Sequence, residues 1–490
     1  MKKNNKKSKK KATKKAINFP NFKLEQSKKV EVTANSGMFL LSELLKKIEF
    51  CEHFAKLNIF SRKKIDESVH ILAFVINQFT GGEAICDTRY VKEDGALLKI
   101  FGDIHIPAPH TSGDFLERFT GDFVERLRVI IHKMQDKRFK KLSKRLDGKI
   151  IISCDSSIYE VFGNCKVNSS FSYKNIFGFH PLFLHIHNTG ELLDIIFRSG
   201  SAYTSSGVVN MLERNVLRLK PYFDEIILLA DSGFFEQAVV NFCERDDIKI
   251  NFIITSEINA PIRKKLSSVD LIWAVARISD EESETEKKHR DSHTFNYRLY
   301  ALKESLKKRK KVLKVRGDLE ISEFEHTVPA WDKSFRFVFK RQLVQELDLS
   351  DQLKMLVPDE EYFYHGYVTN LPDQSVEEIL LLIDSRGHQE NYIKDFKHGL
   401  GTVHIPVKHF EGNYAYFLIS MLSWNLKCWL LSIIEPGLNI YWKRFRYLFI
   451  KVGAQVIKGS RYVIIRFGKN FGRVDEFLKW FSRMQEPMFE

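Results

Sequence analysis

Apolar residues recur at spacings of three and four between Ser36 and Arg145, as in the stretches FLLSELLKKIEF and VHILAFVINQF. This spacing predicts helices that each bury one face. Gly81–Gly82 is expected to end the second of these helices, and ICDTRYVKEDGALLKIFG predicts two short helices that meet at Asp94–Gly95. The pattern therefore predicts a helical N-terminal domain over residues 36–145.

Short apolar runs, typical of buried strands, follow the helical region. The first run is Lys149–Asp155, and two later runs flank the turn Asn188–Gly190 as a hairpin. Helical segments then alternate with the runs Glu225–Ala230 and Lys249–Thr255. Strands in hairpin order, followed by strands that alternate with helices, predict an α/β fold over residues 146–255, with a mixed sheet and flanking helices.

This alternation breaks down over residues 256–373. The acidic run DEESETE at 280–286 and the basic run KKRKK at 307–311 precede the strand-like stretches FRFVFKRQL and YFYHGYVTNL. These stretches predict a β-rich insertion with polar loops. The helical pattern resumes over residues 374–436, and residues 437–490 form an α/β appendage to which the pattern assigns no role.

The stretch Phe417–Ile434 is about as long as a short transmembrane helix. Asn425 and Lys427 lie at its middle, and both would be costly in hydrocarbon. We therefore expect a buried core helix and no membrane partner.

The net charge of +15 and the pI near 9.3 make nucleic acid the first candidate partner. The first fifteen residues hold nine lysines and no acidic residue, so the rest of the chain is only mildly basic. Residues 1–35 are expected to form a disordered tail, either a salt-sensitive arm on DNA or a solvated segment. Several short helices on a basic protein favour DNA binding by residues 36–145, although helical bundles serve many other functions.

Six cysteines are scattered along the chain without a C-x-x-C pair, which excludes a zinc ribbon and favours a reducing cytoplasm. There is no G-x-x-x-x-G-K-[ST] motif, so no nucleotide cofactor is expected. The G-x-S-x-G motif of many hydrolases is also missing from the sequence.

Two acidic residues lie at the ends of predicted strands: Asp155 closes KIIISCD and Asp231 closes EIILLAD. Carboxyl ends of strands are where open α/β sheets place their sites. An aspartate after a strand is more often a turn or cap residue, so neither position is decisive alone.

A late predicted helix carries the stretch SRGHQENYIKDFKHG, in which Arg386, Glu390, Lys394 and Lys397 share one face. A solvated row of ion pairs would have the same spacing. Gly387 costs about 1 kcal/mol against alanine inside a helix, so a packing or functional reason for it is expected.

The order of these features resembles the DDE transposases of bacterial insertion sequences. More narrowly, it is similar to the group whose last motif is Y-x-x-R-x-x-x-E-x-x-x-x-x-x-K, which Arg386, Glu390 and Lys397 fit. The tyrosine position is occupied by Ile383, which puts one phosphate contact in doubt. The similarity covers residues 36 to 430, including GGEAICDTRYVKEDGALLKIFG, GFHPLFLHIHNTGELLDIIFRSG and LLADSGFF.

The resemblance implies an RNase H-like core, in two parts around the β-rich insertion, that cleaves and joins DNA strands. It implies that Asp155, Asp231 and Glu390 bind two Mg²⁺ ions, which Mn²⁺ can replace. Two such ions, roughly 3.5–4 Å apart, stabilise the entering and leaving oxygens. Arg386, Lys394 and Lys397 would lie near the DNA backbone. Trp331 and Trp273 would be candidates for stacking on an unpaired base, although a core position is the commoner role of a tryptophan.

The expected partner is double-stranded DNA, both element ends and target, bound by a homodimer in the bacterial cytoplasm and associated with the nucleoid. Two other functions remain open: a DNA-binding protein of the same fold that no longer cleaves, and an RNase H-like nuclease without strand transfer.

Overall fold

The computed structural model describes residues 29–59, 65–268, 270–276, 316–328, 333–343 and 362–486, together with residues 24, 27 and 331. The helices in this part are α1 (Met38–Lys47), α2 (Phe50–Phe54), α3 (Glu67–Thr80), α4 (Thr88–Glu93), α5 (Gly95–Ile100), α6 (Pro109–Glu117), α7 (Gly121–Arg145), α8 (Val208–Leu219), α9 (Gln237–Glu244), α10 (Ala260–Leu266), α11 (Val376–Ser385), α12 (Gly387–Gly399), α13 (Phe410–Ile434), α14 (Trp442–Phe445) and α15 (Val474–Gln485). The strands are β1 (Val32–Thr33), β2 (Lys149–Ser156), β3 (Tyr159–Glu160), β4 (Ser170–Phe171), β5 (Phe177–Phe179), β6 (Leu182–Ile186), β7 (Leu192–Ile196), β8 (Glu225–Ala230), β9 (Asn251–Ser256), β10 (Ala274–Val275), β11 (Arg316–Thr327), β12 (Ser334–Leu343), β13 (Tyr362–Thr369), β14 (Ala454–Lys458) and β15 (Val463–Phe467).

The N-terminal region is helical, as its pattern predicts. α3 ends at Thr80, where Gly81 adopts a φ of 101° that suits glycine. α4 and α5 are the two short helices predicted around Asp94, whose carboxylate accepts a hydrogen bond from Leu97 N at 2.9 Å and caps α5. The apolar faces of these helices join one large core.

The main sheet matches the RNase H-like mixed sheet that the resemblance implies. Its central strands lie in the order β7-β6-β2-β8-β9. β8 and β9 run parallel to β2, whereas β6 is antiparallel to both β2 and β7. α8, α9 and α10 pack on one face, and α11 packs on the other.

The insertion is rich in strands, but these strands do not form a sheet of their own. β13 pairs antiparallel with β9, and β12, β11 and β10 follow in turn, so the sheet has nine strands in the described residues. Without the insertion, β9 would be an edge strand with unpaired backbone groups. These groups pair with β13 instead, which extends the sheet. The acidic run 280–286 and the basic run 307–311 lie outside the described residues.

α13 is a core helix, as predicted. It is long and apolar enough to cross a membrane by composition, yet most of it is buried inside the structure. Asn425 donates to Leu192 O and accepts from Leu192 N, both at 2.8 Å, which satisfies its amide on β7. Lys427 Nζ donates to Ile440 O at 2.9 Å. The polar groups that would be costly in lipid therefore have partners within the protein.

A buried carboxylate joins the N-terminal helices to the sheet. Asp194 on β7 accepts from Arg128 Nε of α7 at 3.2 Å and from Arg214 Nε of α8 at 3.0 Å. Burial works to raise the pKa of Asp194, but the hydrogen bond and charge of His132 and the charges of Arg128 and Arg214 hold it well below its usual range. This ion cluster fixes α7 against β7.

Both ends of the described chain pack on the helical region. β1 lies inside the predicted tail and pairs with β14, so regular structure begins before residue 36. β14 and α15 bury Val456, Phe477 and Trp480 in the core that also contains α1 and α13. Residues 437–486 are therefore built into the helical core. The lysine-rich run 1–15 lies outside the described residues.

Candidate active site

The sheet brings Asp155 and Asp231 to neighbouring positions. β2 and β8 are adjacent and parallel, and Cys154 is paired with Ala230 directly before the two aspartates. Asp155 Oδ1 accepts a hydrogen bond from Ser156 N at 2.7 Å. Asp231 Oδ1 accepts one from Gly233 N at 3.0 Å. The two acids at the predicted strand ends thus meet at the carboxyl ends of two adjacent central strands.

Arg386 lies between these two carboxylates. Its Nη1 is 3.8 Å from Asp155 Oδ2 and 4.0 Å from Asp231 Oδ2. The same nitrogen is buried and has no hydrogen-bond partner among the described residues. A buried cation without a hydrogen bond is costly, so Arg386 Nη1 is a group that an oxygen-rich ligand could satisfy.

The pKa of Asp155 is raised to about 7. Burial is the largest cause, and the charges of Asp231 and Glu390 raise the pKa further, whereas Arg386 and the Ser156 hydrogen bond lower it. Glu390 therefore lies close enough to Asp155 to act on its ionisation. A carboxylate whose charged form is disfavoured in this way is suited to binding a cation.

Asp155→Asn is expected to stabilise the chain in the absence of divalent ions, by about 2 kcal/mol or more at pH 8. Between the ordinary carboxyl pKa of 3.8 and about 7, the folded chain holds a proton that the unfolded chain has released. The free energy of unfolding therefore falls as the pH rises through this window, and asparagine removes the penalty. Melting temperatures at pH 8 and pH 4 check this: the variant should unfold at a higher temperature only at pH 8. A variant no more stable than the wild type at pH 8 would contradict it.

Glu390 lies one turn beyond Arg386. The helical segment is divided there, because α11 ends at Ser385 and α12 begins at Gly387. A Cβ added at Gly387 would meet no atom within 4 Å, so the packing reason expected for this glycine is not found. Glu390 is exposed, and no three His, Cys, Asp or Glu side chains in the described residues are arranged to hold a metal ion. The structure thus brings Asp155 and Asp231 together at Arg386. Glu390 is near enough to affect the pKa of Asp155, but its side chain is exposed.

Two histidines on and after β6 hold this helical segment on the sheet. Gln389 Nε2 donates to Ser153 O at 3.0 Å and lies 3.2 Å from His185 Nδ1. Ser385 Oγ lies 2.8 Å from His187 Nε2. Nothing in the sequence pattern singled out Gln389 or Ser385. The signal available was the alternation of His185 and His187 along a strand, which places both on one face.

The two lysines of α12 differ in their surroundings. Lys397 donates to Ile158 O, and its ammonium lies 4.4 Å from the centre of the Tyr159 ring. Burial lowers the pKa of Lys397 to about 8, with Asp155 acting against and Lys174 adding to this effect. Lys394, by contrast, is exposed. Lys397 is therefore partly enclosed beside the acids, and Lys394 faces solvent.

A family model described as Transposase DDE domain group 1 matches residues 26–488. This chain belongs to the DDE transposase family. None of the curated proteins compared with it matches. Among solved structures, a piggyBac transposase in a synaptic complex with hairpin DNA is similar over 84% of this chain and 78% of that chain, at 10% identity and a TM-score of 0.41. A likeness this remote transfers neither substrate nor residue roles.

The transposase buries Trp331, one of the two candidates for stacking on an unpaired base. Trp331 is 6% exposed and packs against Phe235, with ring centres 5.0 Å apart, and against Phe335 at 5.6 Å. Apolar burial holds it in the core beneath the sheet, which argues against the stacking role. Trp273 is half-buried, and the Arg341 guanidinium lies 4.1 Å from its ring centre.

DDE transposases generally use divalent metal ions, and the acids of this transposase fit such an ion in type. Asp155 and Asp231 each have a carboxylate oxygen within 4.0 Å of the same nitrogen, Nη1 of Arg386. Hard cations such as Mg²⁺ prefer oxygen ligands and retain waters, so few protein ligands are needed. In this structure Arg386 supplies the positive charge between the two carboxylates.

Proposed function

We propose that this transposase cleaves DNA at the ends of an insertion sequence and joins the freed ends to target DNA. The observation that supports this is the convergence of Asp155 and Asp231 on Arg386, with Glu390 acting on the ionisation of Asp155. Paired carboxylates beside a cation at the carboxyl edge of a sheet suit the binding of phosphate with a divalent ion.

Asp155, Asp231 and Glu390 would hold two Mg²⁺ ions, for which Mn²⁺ can substitute. When bound, such ions stabilise negative charge on the oxygens that enter and leave the phosphate. Arg386 would exchange its carboxylate partners for a phosphate oxygen, since its Nη1 has no hydrogen-bond partner in the described part of the chain. Lys397, with its pKa lowered to about 8, would lie near the same phosphate.

The proposed reaction has two steps on the same site. Water first attacks the phosphodiester at the element end, which releases a 3′-hydroxyl. That hydroxyl then attacks a phosphodiester of the target, so that a new strand junction forms as the target strand breaks. Two element ends must be held together for insertion, so the proposed DNA-bound form is a homodimer, in the bacterial cytoplasm and associated with the nucleoid.

The test is incubation of the purified protein and Mg²⁺ with DNA that carries the inverted repeats flanking its gene. We expect nicks at the repeat ends and, with target DNA added, joined products. Nicks without joined products would indicate a nuclease without strand transfer. Binding without any cleavage would indicate a DNA-binding protein that has lost catalysis. Either result would overturn the proposal.

A further inference from the structure

Beyond the lysine-rich run at residues 1–15, positive charge is also concentrated near the C-terminal end of the chain. Residues 437–490 contain eleven Lys and Arg against four Asp and Glu, a net charge of +7. Residues 146–436, which include the acids of the candidate active site, contain 35 against 41. The sheet and its insertion are thus net acidic, and a polyanionic substrate would need cations supplied from elsewhere.

The C-terminal segment meets the helix that carries Glu390. Trp442 N, at the start of α14, donates to the Asp395 carboxylate of α12 at 2.9 Å. Asn439 Nδ2 donates to Tyr392 Oη at 2.7 Å. α14 is therefore docked against α12 five residues beyond the proposed metal ligand, and Asp395 and Trp442 are both buried in this contact.

Exposed cations are next in sequence to the contacting residues of both helices. Lys394 immediately precedes Asp395, and Lys443 and Arg444 immediately follow Trp442. All three are exposed and form no ion pair with the described part of the chain. The Arg444 guanidinium lies 5.5 Å from the ring centre of Tyr447, itself an exposed side chain. Cations without acidic partners at such a junction are available for an anion.

We infer that Lys394, Lys443 and Arg444 form a surface that binds the phosphate backbone of duplex DNA beside the cleavage site. The inference rests on the proposed DNA substrate, but it assigns a binding role to α14 that is independent of the chemistry at the acids. Trp442 of α14 contacts Asp395, five residues beyond Glu390 on α12, so α14 lies within about two helical turns of the proposed metal ligand. Backbone contacts of this kind fix the position of the duplex without reading its sequence.

The salt dependence of DNA binding tests this surface. Binding of a labelled duplex of random sequence is measured without divalent ions, so cleavage plays no part. Each lost phosphate contact reduces the slope of log K against log salt by about 1, so K443Q/R444Q should reduce it by about 2. The loss of affinity between about 50 and 200 mM salt should become roughly tenfold smaller.

R263Q/K264Q is the matched control. Arg263 and Lys264 are also adjacent, exposed and on a short helix, α10, but α10 packs on the opposite face of the sheet. The control should keep the wild-type slope. K394Q/K443Q removes the same charge from two helices, and it replaces K443Q/R444Q if that variant does not fold as judged by circular dichroism.

An unchanged slope in K443Q/R444Q, or an equal reduction in the control, would overturn the inference and leave the proposed function intact. If K443Q/R444Q kept its DNA binding but lost binding to polyglutamate, the surface would be assigned to an acidic protein partner. That result would also overturn the inference. A wild-type chain that does not bind DNA would overturn both the inference and the proposed function.

Discussion

Asp231→Asn is expected to reduce DNA cleavage by about 10³-fold or more while DNA binding persists. The substitution keeps the shape of the side chain and its cap on Gly233 N, but removes one of the two carboxylates that meet at Arg386. Stabilisation of charge by bound divalent ions contributes several kcal/mol to such reactions, and each 1.36 kcal/mol is a factor of ten in rate. Single-turnover cleavage of labelled DNA measures the loss, and gel-shift binding measures what remains.

Asp246→Asn is the control for this variant. Asp246 is exposed and precedes β9, which runs parallel to β8, so it lies at the opposite edge of the sheet from Asp231. The control should cleave at the wild-type rate. Full cleavage by Asp231→Asn would remove this residue from the proposed catalytic acids. A loss of DNA binding equal to the loss of cleavage would show that the carboxylate acts in recognition or folding.

Gln389→Ala is expected to reduce cleavage by about 10- to 100-fold and to raise the Mg²⁺ concentration required. Groups that orient metal ligands typically have effects of this size. Gln389 is fully buried and binds Ser153 O and His185 Nδ1, so it fixes α12, and hence Glu390, relative to β2. Alanine removes the hydrogen bonds of Gln389 to these two groups, and a buried group left without a partner costs about 1–3 kcal/mol. Cleavage rates over a series of Mg²⁺ concentrations provide the measurement.

Gln135→Ala separates positioning from general stability. Gln135 is also buried, and its Nε2 donates to a strand carbonyl, Leu192 O, at 2.8 Å, but it belongs to α7 and lies away from Glu390. We expect similar destabilisation in both variants and an increased Mg²⁺ requirement only in Gln389→Ala. If the two variants required the same Mg²⁺ concentration, Gln389 would have a structural role alone.

Local chemistry made much of the fold predictable from the sequence. Asp94–Gly95 marks a helix junction because the aspartate can cap the helix that follows, and Gly81 ends α3 because it adopts a positive φ. Asp155 and Asp231 were identifiable because each directly follows a run of apolar residues that form a buried strand. Parallel neighbours in one sheet then have their carboxyl ends at the same edge.

Other features depend on which surfaces meet. The pattern identified the insertion as β-rich, but not that its strands would extend the sheet from β9, because pairing partners are not encoded in alternation. The sequence left a stacking role open for Trp331 beside the commoner core role, and its burial follows from the packing of Phe235 and Phe335 around it. The resemblance implies that Arg386 lies near the DNA backbone, and the structure places it between two carboxylates.

The residue pattern was enough to predict the helical N-terminal region, the order of the strands along the chain, the acids that follow two apolar runs and the family motif on the late helix. Three features became visible only in the folded chain: Gln389 binds β2, α14 docks on α12, and Asp155 has a raised pKa. Periodicity and capping act between residues a few positions apart, so the sequence displays them directly. Burial and charge pairing join residues up to hundreds of positions apart, and their strength is set by the packed surroundings.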